Sequence, residues 1–203
     1  MSDILKLHQL KVTLKGSEPP IWRRFLIVSN TSLLDVHYIL QVVMGWDNCH
    51  LHEFRVGKTS FGEPFEDSDG EMYDDSEVAL CSVLTRAKQK MTYIYDFGDS
   101  WMHEIVLEKT LPYEDGAPLV QCLAGERACP PEDCGGLWGF YHFVEAVTNP
   151  SHPDHEAMTD WYEGFEPDAF DLDDINRTLD KMTGRKRARK PKQSPRKRGP
   201  RGD

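Results

Sequence analysis

The chain lacks the apolar segments that would carry it into or across a membrane. None of its 203 residues belongs to a run near the ~20 consecutive apolar residues that a membrane-spanning helix needs. The first six residues also lack the charged and apolar regions of a secretory signal peptide. The sequence therefore predicts a cytoplasmic protein with no membrane partner.

Cysteine is scarce and odd in number, which argues against a fold held together by disulfides. Five cysteines are present, and no export signal places them in an oxidising compartment. Reduced thiols or metal ligands are therefore expected at Cys49, Cys81, Cys122, Cys129 and Cys134.

Basic residues are scarce in most of the chain and crowded at its end. Eleven of the 24 Lys and Arg lie in residues 181–203, together with only one of the 34 acids. The other 180 residues keep 13 basic and 33 acidic side chains, so their net charge is about −20. Residues 183–203 are expected to form a disordered basic tail that attracts nucleic acid. The nucleic-acid prediction concerns Arg185, Lys186, Arg187, Arg189, Lys190, Arg196, Lys197 and Arg198.

No kinase apparatus accompanies the Asp-Phe-Gly sequence at 96–98. A kinase also needs a Gly-rich phosphate loop, a strand Lys and a His-Arg-Asp loop, and none of them is present. The segment instead predicts a tight turn between two strands. In this turn Gly98 is expected to supply a positive φ, and Asp99 to hydrogen-bond the backbone.

Hydrophobic periodicity predicts strands first and helices later. Strand-like alternation occurs at 5–14, 21–28, 50–56, 91–97, 101–109 and 119–124. Helices are expected from the N-cap candidates Asn30 and Thr31 to Met44, and at 78–84, 137–147, 156–162 and 172–182. Gly45 is expected to end the first helix, and Asp171 to cap the last. The fold class is therefore α+β, a single compact domain over residues 1–182 with an N-terminal strand-rich sheet, one packed helix and a helical C-terminal part.

Four sequence motifs follow one another along this domain. They are Pro20-Ile21-Trp22-Arg23-Arg24; Gly45-Trp46-Asp47 with His50-Leu51-His52-Glu53-Phe54; Tyr95-Asp96-Phe97-Gly98-Asp99-Ser100-Trp101 with His103; and Cys129-Pro130-Pro131-Glu132-Asp133-Cys134-Gly135-Gly136 with Tyr141. Together they resemble the plasmid pRiA4b ORF-3-like family over roughly residues 5–180. The resemblance implies a compact α+β domain and, because some relatives are carried by plasmids or insertion elements, a link to mobile DNA. It supplies no catalytic residue.

The cysteines of the last motif are candidate zinc ligands. Cys129 and Cys134 are bracketed by Pro and Gly residues that could form a stiff knuckle, and Cys122 lies a short distance before them. A histidine, His103 or His142, would complete a closed site. The alternative is a structural loop with buried thiols, because no second two-cysteine knuckle exists.

Histidines and acids offer a second candidate site. On a strand, His50 and His52 would share a face, and His103, Asp96 and Asp99 of the other motif could join them. Three such ligands with an open position would suit zinc or iron. The alternative is a polar core in which these side chains hydrogen-bond one another.

The aromatic and basic residues of the motifs complete the predicted pocket lining. Trp22 and Arg24 share one face of a strand, and Trp101 follows the motif turn. An Arg in such a place could hold an anionic ligand or form a structural ion pair.

These observations favour a non-enzymatic binding or accessory module, linked to mobile DNA by the resemblance and carrying a nucleic-acid-attracting tail. The alternative is a small metal-dependent hydrolase that uses the His-rich face, with zinc as one candidate metal.

Overall fold

The chain forms one large sheet with helices against it. The computed structural model describes residues 5–64 and 72–184. In these ranges the strands are β1 (Lys6–Leu14), β2 (Trp22–Val28), β3 (His52–Val56), β4 (Thr59–Gly62), β5 (Met72–Asp74), β6 (Lys90–Tyr95), β7 (Trp101–Pro112) and β8 (Val120–Glu126). The helices are α1 (Leu33–Met44), α2 (Leu80–Val83), α3 (Gly136–Thr148), α4 (His155–Trp161) and α5 (Leu172–Met182).

The eight described strands lie in the order β5-β4-β3-β6-β7-β1-β2-β8. Neighbours pair antiparallel, except that β4 and β5 are parallel. The predicted α+β class, with strands first and helices last, is confirmed. Of the predicted tail, only Thr183 and Gly184 are among the described residues; the nucleic-acid prediction for 185–203 lies outside them.

Apolar alternation buries one face of the sheet under α1. Along β1 the side chains of Leu10, Val12 and Leu14 are buried. They join one core with the apolar stripe of α1, which includes Val36 and Leu40. Burial of such side chains, worth about 1.5–3 kcal/mol each, is the main force that holds α1 on the sheet.

The ends of α1 and α5 show ordinary capping chemistry. Ser32, one residue beyond the expected cap, accepts a hydrogen bond from the N–H of Asp35 (3.1 Å). Gly45 ends α1 with φ +91°, as predicted. Asp171 caps α5 by accepting from the N–H of Asp174 (2.8 Å), also as predicted.

The last helix is attached to the end strand of the sheet by one side chain. The Asn176 amide oxygen accepts from the Cys122 N–H (2.9 Å), and its nitrogen donates to the Cys122 carbonyl (3.0 Å). The buried side chain of Leu179 packs into the core beside this bridge. Helix α5 therefore sits against β8.

The motif turn between β6 and β7 corrects one expectation. Gly98 is not in the left-handed region; Asp96 and Ser100 are, each with φ +56°. Asp residues tolerate this conformation because a short polar side chain can bond the local backbone. Here Asp96 Oδ1 accepts from the Gly98 N–H (2.8 Å), so Asp96 rather than Asp99 stabilises the turn.

Candidate metal centre

Three motif loops meet at one end of the sheet. The loop after α1 contacts the loop before α3 because Trp46 Nε1 donates to the Pro130 carbonyl (2.9 Å). The loop before α3 is also joined to the β6–β7 turn, since Asp99 Oδ2 accepts from the Gly135 N–H (3.0 Å). Residues far apart in sequence are thus brought to one place.

A mixed nitrogen and oxygen donor set lies where these loops meet. His50 Nε2 lies 3.2 Å from Asp133 Oδ1, and 3.7 Å from both Asp96 Oδ2 and Glu132 Oε2. His50 Nε2 and Glu132 Oε2 are buried atoms without a hydrogen-bond partner in the described chain. Donors bound about 2.0–2.2 Å from one ion lie about 3–3.5 Å apart, so this spacing fits a shared metal.

The thiol of Cys49 extends the cluster. Its sulfur, His50 and a carboxylate oxygen of Glu132 lie within 4.8 Å of one another. His50, Asp96 and Asp133 form a second such group. His50 is common to both groups and is therefore the central ligand of the candidate centre.

Tyr95 holds the donors in place from β6. Its hydroxyl donates to Glu132 Oε1 (3.0 Å) and accepts from the Cys49 N–H (3.0 Å). Burial and the adjacent Glu132 carboxylate raise the pKa of Tyr95, so the hydroxyl keeps its proton. The Trp46 ring stacks on Tyr95 at 4.9 Å between centroids, which fixes the phenol further.

A buried network positions the turn that carries His50. Asn48 has φ +57°, and its N–H donates to Gln41 Oε1 (3.0 Å). Its side-chain oxygen lies 2.6 Å from His37 Nε2, while His37 Nδ1 lies 2.8 Å from the Tyr93 hydroxyl. Burial lowers the pKa of His37 to about 4, so its imidazole is neutral at pH 7.

An open cleft of about 460 Å³ adjoins the centre. Its lining includes His50, His52, Asp75 and Phe97, and no described Lys or Arg. His52 Nε2 lies 2.7 Å from Asp75 Oδ2, while its Nδ1 has no hydrogen-bond partner among the described residues. The His52 ring also stacks on His37, with 3.6 Å between centroids, so its orientation is fixed.

The structure does not bring His50, His52 and His103 together. Strand β3 begins at His52, so the shared-face argument for His50 and His52 does not apply. His103 is fully buried on β7, and neither ring nitrogen has a hydrogen-bond partner in the described chain. Burial lowers the pKa of His103 to about 4. Of the predicted set of His50, His52, His103, Asp96 and Asp99, the structure groups only His50 and Asp96.

The three candidate cysteine ligands also lie apart. Cys122 Sγ is directed at the Arg24 and Ala124 carbonyls (3.7 and 3.8 Å), and Cys129 Sγ lies 3.6 Å from Met44 Sδ. The three sulfurs are not grouped within 4.8 Å of one another.

Burial raises the pKa of each candidate thiol, and that of Cys134 to about 12. The expected closed zinc site therefore has no support from the geometry. The Cys129–Cys134 loop contributes Glu132 and Asp133 instead.

Trp22 and Arg24 lie on the opposite face of the sheet from the buried core. Arg24 forms a bidentate ion pair with Glu108 (2.7 and 2.8 Å) and packs over the Trp22 ring at 5.1 Å. This is the structural ion pair that was one of the two predicted roles. The neighbouring Arg23 points inward, and sequence reasoning missed it.

Of the other pocket candidates, Asp96 lies in the centre, whereas Asp99 only joins two loops and Trp101 is fully buried in the core. Sequence reasoning also missed Glu132 and Asp133 as donors, and it named Cys49 only as one of five candidate thiols. Their signal was present, since both acids lie inside the most distinctive motif.

The fold and this centre define an α+β domain built around three convergent motif loops. The sequence matches the plasmid pRiA4b ORF-3-like protein family over residues 6–174, and the chain belongs to that family. It is 38% identical to the uncharacterized protein y4hQ of Sinorhizobium fredii, over 90% of this chain and 95% of the relative. It is also similar to the crystal structure of MM3350, a protein of unknown function from Methanosarcina mazei. That match has a TM-score of 0.77 and 34% identity, and it covers 84% of this chain and 98% of the other.

No helix within residues 5–64 and 72–184 is long and apolar enough to cross a membrane.

Proposed function

We propose that this protein is a small metal-dependent hydrolase in which His50 holds one divalent metal ion, either with Asp96 and Asp133 or with Cys49 and Glu132. The observation that carries the proposal is that three carboxylate oxygens lie 3.2–3.7 Å from His50 Nε2, with two buried atoms, His50 Nε2 and Glu132 Oε2, left unpaired among the described residues. Unpaired buried polar atoms are costly, and a bound ion would satisfy both.

The donor set indicates the class of metal. One imidazole with several carboxylates suits zinc, manganese or iron better than magnesium or calcium, which prefer all-oxygen sites. Such an ion, when bound, lowers the pKa of a coordinated water and so supplies a nucleophile. The Asp133 side chain is 72% exposed, so the centre is accessible to solvent from this side.

His52 is the proposed general acid or base. Asp75 binds one ring nitrogen and orients the imidazole, and the other nitrogen is left without a partner in a ring that lines the cleft. An imidazole oriented by a carboxylate is the usual arrangement of a proton-transfer group.

The charge of the cleft restricts the substrate. Glu63, Asp74 and Asp75 line it without a described Lys or Arg, so a phosphate-rich substrate would be repelled. Exposed rings of Tyr38 and Phe97 offer apolar and cation–π contacts. We therefore propose a neutral or amine-bearing ester or amide as the substrate.

Metal binding should depend on Glu132 and Asp133 and not on Cys129 and Cys134. After loading with zinc and desalting, Glu132→Gln/Asp133→Asn is expected to hold one ion per chain fewer than the wild type. The matched control, Cys129→Ser/Cys134→Ser, should keep the wild-type content, because its sulfurs lie outside the centre. Elemental analysis gives the zinc content of the wild type and of both double variants. Loss of zinc only in the cysteine variant would contradict the proposal.

Turnover separates the hydrolase from a simple binding module. The metal-loaded protein is expected to cleave p-nitrophenyl acetate or an aminoacyl p-nitroanilide in preference to bis-p-nitrophenyl phosphate. His52→Asn should reduce turnover while retaining the metal. A stoichiometric metal with no turnover of any of these substrates would instead favour a non-enzymatic binding module.

The basic tail supports the second candidate, an accessory module that binds nucleic acid. Eleven cations in residues 181–203 would release counterions from duplex DNA, independently of sequence. A chain truncated after Gly184 is therefore expected to bind DNA more weakly than the full chain at low salt, with a smaller salt dependence. Equal affinities at both salt concentrations would refute a role for the tail.

A further inference from the structure

A second cluster of metal-ligating side chains lies in the helical part of the domain. His142 Nε2 is 3.2 Å from Asp154 Oδ2, and His152 Nδ1 is 4.0 Å from the same oxygen. The three ligand atoms lie within 4.8 Å of one another. The two imidazoles meet edge to face, with 5.2 Å between ring centroids. None of these residues belongs to the centre around His50.

We infer that His142, His152 and Asp154 form a second binding site for a divalent transition-metal ion. Two imidazoles and one carboxylate are a donor set that binds zinc, nickel, copper or iron. The side chains of His142 and Asp154 are 36% and 49% exposed, so an ion here would keep water ligands and exchange with solvent. The site is therefore open, in contrast to a closed structural cage.

The scaffold of this site is formed without the ion. His142 projects from α3, and the indole of Trp138, one turn earlier, stacks on its ring at 6.1 Å with 7° between the planes. The connection to α4 is fixed because the N–H of His152 donates to the Asn149 carbonyl (2.9 Å). His155 Nδ1 lies 2.8 Å from the Ala146 carbonyl, which anchors the start of α4 to α3.

The chemistry at His152 is compatible with metal binding. The N–H of Asp154 donates to His152 Nδ1 (3.1 Å), so this nitrogen is an acceptor whose lone pair could instead bind an ion. An ion at Nδ1 would replace that one half-buried hydrogen bond, and metal coordination would offset its loss. The competing interpretation is a simple His–Asp ion pair, which would bind no metal.

Fluorescence of Trp138 reports on occupancy. Metal-free Glu132→Gln/Asp133→Asn protein, which lacks two donors of the first centre, is titrated with Ni²⁺ alone. It is expected to bind one ion per chain by calorimetry, with quenching of tryptophan emission, because Trp138 contacts a ligand ring. Trp138→Phe in the same background should keep the affinity and lose most of the quenching.

The two histidine ligands are tested in the Glu132→Gln/Asp133→Asn background as well. His142→Ala and His152→Ala should each weaken Ni²⁺ binding at least about tenfold, a loss that even outer-shell changes cause at metal sites. Circular dichroism melts should remain close to the parent, since His142 lies partly in solvent. Unchanged affinity in both variants, or no Ni²⁺ binding in the parent, overturns the inference. Neither result bears on the His50 centre, which is tested by the difference in zinc content between the wild type and Glu132→Gln/Asp133→Asn.

Discussion

Arg23→Ala is expected to destabilise the domain by about 5 kcal/mol or more, or to prevent folding. Arg23 is only 3% exposed, and its guanidinium donates to four backbone carbonyls. One of them, that of Val43 (2.8 Å), lies near the end of α1, and another, that of Arg127 (2.7 Å), follows β8. Removal of the side chain leaves one buried and three partly buried acceptors unpaired, at up to about 1–3 kcal/mol each, and opens a cavity.

The adjacent arginine is a matched control for this prediction. Arg24→Ala removes an ion pair with Glu108 whose partners are 30% and 25% exposed, so the expected cost is below about 1 kcal/mol. Arg23→Lys should fall between the two, because one ammonium group cannot reach carbonyls that a planar fork reaches together. Urea denaturation of the three variants gives the free energies of unfolding. Equal losses of unfolding free energy for Arg23→Ala and Arg24→Ala would show that the buried guanidinium contributes no more to stability than the Arg24–Glu108 ion pair does.

The second large effect concerns acid stability and His103. Burial lowers the pKa of His103 from its ordinary 6.5 to about 4, so the folded domain keeps this imidazole neutral. The unfolded chain takes up a proton as the pH falls below 6.5, whereas the folded domain does so only near pH 4. Stability is therefore lost across this window as the pH falls, by about 3 kcal/mol at about 1.4 kcal/mol per pKa unit.

His103→Leu should remove this part of the pH dependence. The free energy of unfolding of the variant, relative to that of the wild type, is expected to rise by about 3 kcal/mol between pH 7 and pH 4. The packing cost of the substitution at pH 7 does not change this difference. Ile105→Val, on the same buried face of β7, supplies the control. This substitution changes no titratable group, so its packing cost should stay constant with pH. Parallel stability curves for the wild type and His103→Leu would contradict the prediction.

The secondary structure could be predicted well because its signals are local. Alternation in Leu10, Val12 and Leu14 marks a strand, and capping residues mark the ends of α1 and α5. Two strands, β4 and β5, were not predicted, and the other errors lie within three residues of element ends. The error that affected the site prediction is the start of β3. This strand begins at His52 because Asn48 turns the chain in the left-handed region.

The candidate centre was harder to predict because its residues come from three loops. His50, Asp96 and Asp133 are each separated by about 40 residues, and no local pattern reports their contact. Only the sheet order, which places β3 beside β6, brings the first two together. The cysteines of the last motif attract attention as zinc ligands, yet the acids between them are the residues that face His50.

The Asn176 amide affects whether two molecules of this protein can pair through the edges of their sheets. Strand β8 ends the sheet, and an end strand with free N–H and C=O groups is a template for adding a strand from another molecule. By occupying both backbone groups of Cys122, the Asn176 side chain imitates a ninth strand at that point. Helix α5 therefore acts as protection against edge-to-edge aggregation, and shortening the chain into α5 would expose a surface that promotes self-association.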